Sequence, residues 1–532
     1  MSKIIVLAFV FFLLGCVSSN KNTINISDSL QLRDLNISQL PVSSAELEAA
    51  QGFVALVKKH GQTRAVKLYC EENAKSNICQ VFQRPPAKRL FPSITAGQSL
   101  GSKTTQKLLA AQKISELSDA TVNDIIYGTK RLKAAQKKIV TQKLLAPGPC
   151  YKSSLYVGVA SVWEINFPEE DATHYAMSLL HKAQACNNDE LAHFAQYRLG
   201  IFNIWQKNCA GALPILEKSL GSTETFFQSR AVYWQSLCEA KLVNPAARTP
   251  AHFYRQFPLS LYPLLDVGGE RFDAYATVKK NDEPNVTLRS KNDIAINQTL
   301  LVAESLLALK QKSLATGALD RLEFTQVQAQ PAELQLYLAF LLDKAEFDLF
   351  KFQILSRLFQ TNPKLKTESS MRLFYPERHR GTILGASGSI DPYLIMALIR
   401  QESAFNVNAR SGKGARGLMQ LMPSLARVYG LSSADIAMPE RNVEIGVRYF
   451  RSLLKKYHNQ IPMALAAYNA GPKMVDGWLK RYPTDDPILF VELMPFRETR
   501  EYVAAILRNW YWYSNLYNDA EATVVPFVSV RK

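Results

Sequence analysis

Glu402 sits in the run Leu398-Ile399-Arg400-Gln401-Glu402-Ser403-Ala404-Phe405, which places a carboxylate at the end of one of the most apolar stretches in the chain. A carboxyl group in apolar surroundings can hold its proton to neutral pH and deliver it to a leaving oxygen. Three further unusual strings follow in order: Gly417-Leu418-Met419-Gln420, Ala467-Tyr468-Asn469-Ala470-Gly471 and Pro495-Phe496-Arg497-Glu498-Thr499-Arg500.

The element that must position Glu402 is a helix. Asp391-Pro392 is a start signal, because Asp caps free N–H groups and Pro suits the first helical turn. From Tyr393 to Ile399 the residues are apolar almost all round, so the helix should be buried. Ile395, Leu398 and Ile399 fall on the same face as the carboxylate. The segment Asn406 to Gly417, with glycines at 412, 414 and 417, predicts a loop and hence a helix stop near Phe405. Burial and the negative end of the helix dipole would then both raise the pKa of Glu402. The residues alone leave a second reading open, a solvated glutamate at a frayed helix end.

The four strings together, the last extended as Pro-Phe-x-Glu-Thr-Arg-x-Tyr, resemble the soluble lytic transglycosylases, enzymes that cleave the glycan strands of bacterial peptidoglycan. The similar segment runs from about Tyr375-Pro376 to about Tyr517. The resemblance implies a goose-type, lysozyme-like catalytic domain that is mostly helical. This agrees with the apolar spacing of Pro439 to Tyr457, Met463 to Tyr468 and Glu498 to Tyr517.

The resemblance also implies roles for single residues. Glu402 would be the sole acid and base, with Ser403 contacting substrate or orienting the carboxyl. Met419 and Gln420 would line the cleft, and Tyr468 and Asn469 would hold the N-acetylmuramoyl ring. Glu498 would support the cleft, with Glu492 a second candidate. Ordinary core packing is the alternative reading for Met419 and Tyr468, while Arg497 and Arg500 suit scaffold or stem-peptide contacts.

Most glycosidases need two carboxylates, and no second one is obvious in the Glu402 motif. In the lytic transglycosylases one glutamate protonates the oxygen between N-acetylmuramic acid and N-acetylglucosamine. It then deprotonates the muramic C6 hydroxyl, which closes a 1,6-anhydro ring. Proximity replaces attack by water. No metal or cofactor is expected. Two alternatives are a true muramidase on the same fold and a non-catalytic cell-wall scaffold.

Export is written at the N-terminus. Met1-Ser2-Lys3, the apolar run Ile4 to Leu14 and the closing Leu13-Leu14-Gly15-Cys16 read as a secretory signal, since the run is shorter than the roughly 20 residues a spanning helix needs. The ending resembles a bacterial lipobox. That resemblance implies lipidation of Cys16 and, with Val17 following, tethering to the periplasmic face of the outer membrane of a Gram-negative bacterium. An ordinary signal with a chance cysteine is the other reading.

The remaining cysteines, Cys70, Cys79, Cys150, Cys186, Cys209 and Cys238, are even in number, and an oxidising compartment favours disulfides. Cys70–Cys79 is the best local pair, and Cys209–Cys238 could staple adjacent helices; free buried thiols are the alternative. A net charge of +17 would suit nucleic acid in a cytoplasmic protein. With an export signal it instead suits acidic peptidoglycan stems and outer-membrane lipids. The densest basic run, Lys130 to Lys143, reads as a solvated helical face.

A chain of 532 residues exceeds one ordinary core. The expected fold class is all-α, an N-terminal helical solenoid or superhelix followed by the lysozyme-like domain. The expected organisation is a signal over 1–15, a flexible tether over 16–45, irregular helices over 46–149, a solenoid over 150–374, the catalytic domain over 375–520 and a tail over 521–532. Ala195-Gln196-Tyr197-Arg198-Leu199-Gly200 and Arg230-Ala231-Val232-Tyr233-Trp234-Gln235 are offset by about 35 residues, near the tetratricopeptide period. The Arg-Ala-x-Tyr-Trp string also resembles the helical superstructure of the larger soluble lytic transglycosylases. Such a solenoid could grip glycan or recruit cell-wall protein partners.

Overall fold

The structure is a computed structural model. It describes residues 30–87, most of 122–165, 171–242, most of 255–279, and 282–518 apart from 431 and 433. The leader, Cys16, the Pro92–Gly101 stretch and the 521–532 tail lie outside the described residues. The fold is all-α, and the only strands named among the described residues are two-residue pieces, β1 (Leu30–Gln31) and β2 (Asn285–Val286). They pair antiparallel, Leu30 opposite Val286.

Contacts divide the chain into two compact units, one of residues 1–89 with 282–358 and the other of 90–281 with 359–532. The first contains α1 (Ser44–His60), α2 (Gln62–Glu72) and α3 (Asn77–Phe82). A reciprocal capping box between Ser43 and Glu46 starts α1. The Cys70–Cys79 disulfide joins α2 to α3.

The second unit begins with a run of helical hairpins: α4 (Ala134–Leu145), α5 (Ser153–Ile165), α6 (Ala172–Cys186), α7 (Glu190–Trp205), α8 (Cys209–Ser219) and α9 (Thr225–Leu242). Each of α5 to α8 packs against the next, so the run is continuous to α9. Cys150–Cys186 and Cys209–Cys238 are bonded as well. The basic run is not simply a solvated face, because Lys137 is buried in α4 and Lys138 pairs with Asp171 at 2.8 Å. The chain then returns to the first unit with α10 (Ile294–Ala308), α11 (Lys312–Leu319) and α12 (Ala332–Lys344). There α10 packs on α1 and α3, and Arg289 forks onto both carboxylate oxygens of Glu304 at 2.6 Å.

The second unit is completed by α13 (Arg380–Ser387), α14 (Pro392–Ser403), α15 (Pro423–Val428), α16 (Pro439–Lys456), α17 (Ile461–Ala470), α18 (Pro472–Arg481), α19 (Pro487–Leu493) and α20 (Arg497–Tyr517). At its centre is α14, where Leu394 through Ile399 are all essentially inaccessible. Each such aliphatic side chain contributes about 1.5–3 kcal/mol on burial. The long α20 lies against α14 and α17.

Candidate active site

Helix α14 starts and stops where its residue types dictate. Asp391 Oδ1 accepts from the Tyr393 amide at 2.8 Å, and Pro392 occupies the first turn. At the other end Ala404 (φ 48°) and Phe405 (φ 64°) both adopt the left-handed region, which breaks the helix immediately after Glu402 and Ser403. Helix α20 runs antiparallel to α14 and is tied to it at both ends. The Trp510 indole donates to Asp391 Oδ2 at 2.6 Å, and the Tyr502 hydroxyl donates to Glu402 Oε1.

Glu402 keeps part of its residue surface accessible, while burial of its carboxyl group raises the pKa from 4.5 to about 7. The Tyr502 hydrogen bond opposes that rise, and the negative charge of Glu498 adds to it. Glu498 and Tyr502 lie four residues apart on α20 and so share a face. Burial, then the neighbouring Glu402 charge, pushes the Tyr502 and Tyr468 phenols well above their ordinary value, so both remain donors. The site therefore holds a carboxyl group poised near neutrality, with one phenol directly on it and one carboxylate acting through space.

The other expected residues are distributed as follows. Ser403 Oγ donates back to the Ile399 carbonyl at 3.2 Å. Gln420 (φ 48°) turns its amide into its own loop, donating to the carbonyls of Gly417 (2.9 Å) and Ala409 (3.2 Å). Tyr468, stacked at a tilt on Tyr449, donates to the Met419 carbonyl at 2.8 Å. Asn469 Oδ1 accepts from Thr499 Oγ1 at 2.7 Å, which joins α17 to α20. Glu498 is exposed.

Two expectations need correction. The Met419 side chain does not wall a cleft. It is fully buried against Gly446 of α16, where an added Cβ would meet its sulfur at 2.3 Å, so it packs as core. Glu492 is fully buried too, and its carboxylate is taken up by Arg230, Tyr197 and Tyr262 rather than offered to a ligand.

Two residues that position the site had no role in the sequence reading. Tyr502 is the last letter of the Pro-Phe-x-Glu-Thr-Arg-x-Tyr string, and its spacing from Glu498 was the available signal. Asn442 had none beyond its place on an amphipathic helix. Its Oδ1 accepts from the Met419 amide (2.7 Å), and its Nδ2 donates to the carbonyls of Arg416 (2.9 Å) and Ile436 (2.8 Å). A cavity of about 200 Å³, lined by Arg380, Asp391, Tyr393 and Met396, opens at the far end of α14 from Glu402.

An all-α chain in which helical superhelix precedes a lysozyme-like domain is the architecture these elements define. Residues 384–491 match the family model of the transglycosylase SLT domain. It is 38% identical over 136 residues to the soluble lytic murein transglycosylase of Salmonella typhimurium, covering 24% of this chain and 21% of that protein. It is 39% identical over 133 residues to the Escherichia coli K12 protein of the same name, covering 23% and 21%. The similar stretch thus spans about a fifth of these relatives' length. Two solved structures share the fold. The lytic transglycosylase Slt of Pseudomonas aeruginosa, an inactive mutant, has a TM-score of 0.55 at 18% identity, covering 90% of this chain and 74% of that one. The 70 kDa soluble lytic transglycosylase of Escherichia coli has a TM-score of 0.54 at 18% identity, covering 91% and 73%.

Proposed function

We propose that this protein is a peptidoglycan lytic transglycosylase with Glu402 as its only catalytic acid and base. The observation that carries the reading is the Glu402 carboxyl, desolvated and held near pH 7 beside the Tyr502 hydroxyl. Protonated, it gives its proton to the oxygen linking N-acetylmuramic acid to N-acetylglucosamine. The acetamide of the sugar stabilises the cationic carbon that results. The carboxylate then takes the proton of the muramic C6 hydroxyl, and that oxygen closes the 1,6-anhydro ring. A pKa close to the working pH lets one group serve both steps. Glu498 makes protonation easier by its charge, and Tyr502 supports the ionised form between the two steps. Ser403, Gln420, Tyr468 and Asn469 are the sugar-contacting candidates around it.

The names of the relatives support murein as the substrate class. The domain reading assigns 375–520 to catalysis and 150–374 to a solenoid that holds glycan or a cell-wall protein. Lipidation at Cys16 and anchoring at the periplasmic face of the outer membrane complete the proposal, supported by the Leu13-Leu14-Gly15-Cys16 ending. Mass analysis of products from purified sacculi tests it. Anhydro ends, one water lighter than hydrolytic products, are expected, and the Glu402→Gln variant should release none while keeping its helical circular dichroism. Reducing muramic ends would reassign the protein as a muramidase, and turnover by the variant would remove Glu402 from the mechanism.

A further inference from the structure

The run Phe490-Val491-Glu492-Leu493-Met494 puts a carboxylate inside an otherwise apolar helix, α19, with no surface exposed to solvent. A buried carboxylate survives only if paired and hydrogen-bonded. Its partners come from the helical hairpins and from Tyr262, in the short 3-10 turn Tyr262–Leu264 that follows them in sequence. Arg230 of α9 donates from Nη1 to Oε1 at 2.6 Å and to Oε2 at 2.7 Å. The Tyr197 hydroxyl of α7 donates to Oε2 at 2.5 Å, and the Tyr262 hydroxyl donates to Oε1. Arg198, itself paired with Glu164, donates to the main-chain carbonyls of Glu492 and, at 3.4 Å, of Leu493.

The grip continues along the chain. Arg500 donates to the Met494 carbonyl and, at 3.3 Å, to that of Pro495, while Arg230 Nη2 reaches the Arg500 carbonyl at 3.5 Å. At the surface Arg497 pairs with Glu224, at the foot of α9, at 2.9 Å. The turn from 492 to 500 is therefore held from both ends, and it is the turn that launches α20. Two residues beyond Arg500 stands Tyr502, and two before it Glu498.

A buried ionic cluster is weak evidence for stability, since apolar side chains of the same volume often do as well. What such a cluster supplies is one geometry: the directional bonds of Arg230 and the two phenols are satisfied in a single register. We propose that Glu492 is a positioning residue for the acid, fixing the 492–500 turn on the helical hairpins and so setting Tyr502 and Glu498 against Glu402. The proposal rests on Glu402 being the acid. It makes the hairpin region part of the catalytic apparatus, because the register of α20 is set from outside the lysozyme-like domain.

The test uses two full-length variants. Glu492→Gln keeps the shape and removes the charge. The double variant Glu492→Leu with Arg230→Met replaces the ion pair by apolar side chains and so guards against simple unfolding. The readouts are kcat and KM on purified glycan strands across pH, folded fraction by circular dichroism, and the titration midpoint of the Glu402 carboxyl by ¹³C NMR, assigned by difference from Glu402→Gln. The charged and phenolic groups facing Glu402, namely Glu498 and Tyr502 of α20 and Tyr468 of α17, are intact in both variants.

For either variant that is folded at the assay temperature, kcat should fall by about tenfold or more with KM within about twofold, as for a misplaced catalytic group. The alkaline limb of kcat and the NMR midpoint should both move from the wild-type value. A fall in kcat that only tracks folded fraction, with limb and midpoint unmoved, overturns the proposal, and so does a double variant with the wild-type profile. If the wild type shows no anhydro product at all, the functional reading fails. The NMR midpoint then still decides whether Glu492 sets the surroundings of Glu402.

Discussion

The Tyr502 hydroxyl donates its hydrogen bond to Glu402 Oε1 across a hundred residues of sequence, from the first turns of α20 to the last turn of α14. A donor on a carboxylate favours its ionised form, so this bond works against the burial that raises the Glu402 pKa to about 7. Tyr502→Phe keeps the buried ring and removes only the donor. The pKa should then rise further, and the alkaline fall of kcat, where the acid loses its proton, should move to higher pH. A hydrogen bond to a charged group is worth about 1.5–3 kcal/mol, enough for a displacement on the order of one pH unit. A pH–rate profile with its alkaline limb in the wild-type position would show that the bond does not act on the acid.

The same raised pKa makes Glu402 a stability cost above neutrality. The ordinary carboxyl value is 4.5 and the folded value about 7, so between those pH values the folded state holds a proton that the unfolded state has released. Stability therefore falls as pH rises through this window, and above about pH 7 the penalty is complete. Its ceiling is about 3 kcal/mol, less whatever solvent reaches the accessible side of the residue. Glu402→Gln should accordingly melt higher than wild type at pH 8 and close to it at pH 5. Thermal unfolding at the two pH values checks the sign, and an equal difference at both would remove the titration argument.

Much of this site was legible because it is local. Asp391-Pro392 and the apolar run to Ile399 specify a capped, buried helix, and the glycines after Asn406 specify its end; the structure places each where those rules put it. What escaped is non-local. Nothing in the neighbourhood of Glu492 announces Arg230, Tyr197 and Tyr262, which reach it from far earlier in the chain, so a buried structural carboxylate reads like a cleft residue. Met419 stays open between cleft and core for the same reason: the residue that gives it room is Gly446, on another helix. Cys150 and Cys186 had no local cue either, whereas Cys70–Cys79, only nine residues apart, did.

The Cys209–Cys238 bond ties the start of α8 to α9, the helix that carries Arg230. Closing a loop of 29 residues is worth about 2–4 kcal/mol, mainly by restricting the unfolded chain. Replacing both cysteines by serine should lower the melting temperature by an amount corresponding to that range. At a temperature where both proteins are fully folded, kcat should change little, because the groups that hold the 492–500 turn are Arg230, Tyr197, Tyr262 and Arg198 rather than either cysteine. Equal melting temperatures under oxidising conditions would show that the bond contributes nothing.

Gly417 begins the string that leads to Met419 and Gln420, and two constraints meet there. Its φ of +76° lies in the left-handed region, and an added Cβ would stand 2.4 Å from Asn442 Nδ2. That amide bonds the Arg416 and Ile436 carbonyls, while its oxygen holds the Met419 amide. Gly417→Ala therefore strains the backbone and displaces the side chain that fixes the 416–421 turn. A cost of about 1–3 kcal/mol follows from the strain and close packing alone. Tyr468 reads the position of this turn through the Met419 carbonyl, so the variant should also lose activity at temperatures where it remains folded. Asn442→Ala offers an independent check on the same turn, since it leaves φ at 417 untouched and removes only the bonds. If both variants keep wild-type kcat when folded, the 416–421 turn is scaffold and does not set the geometry around Glu402.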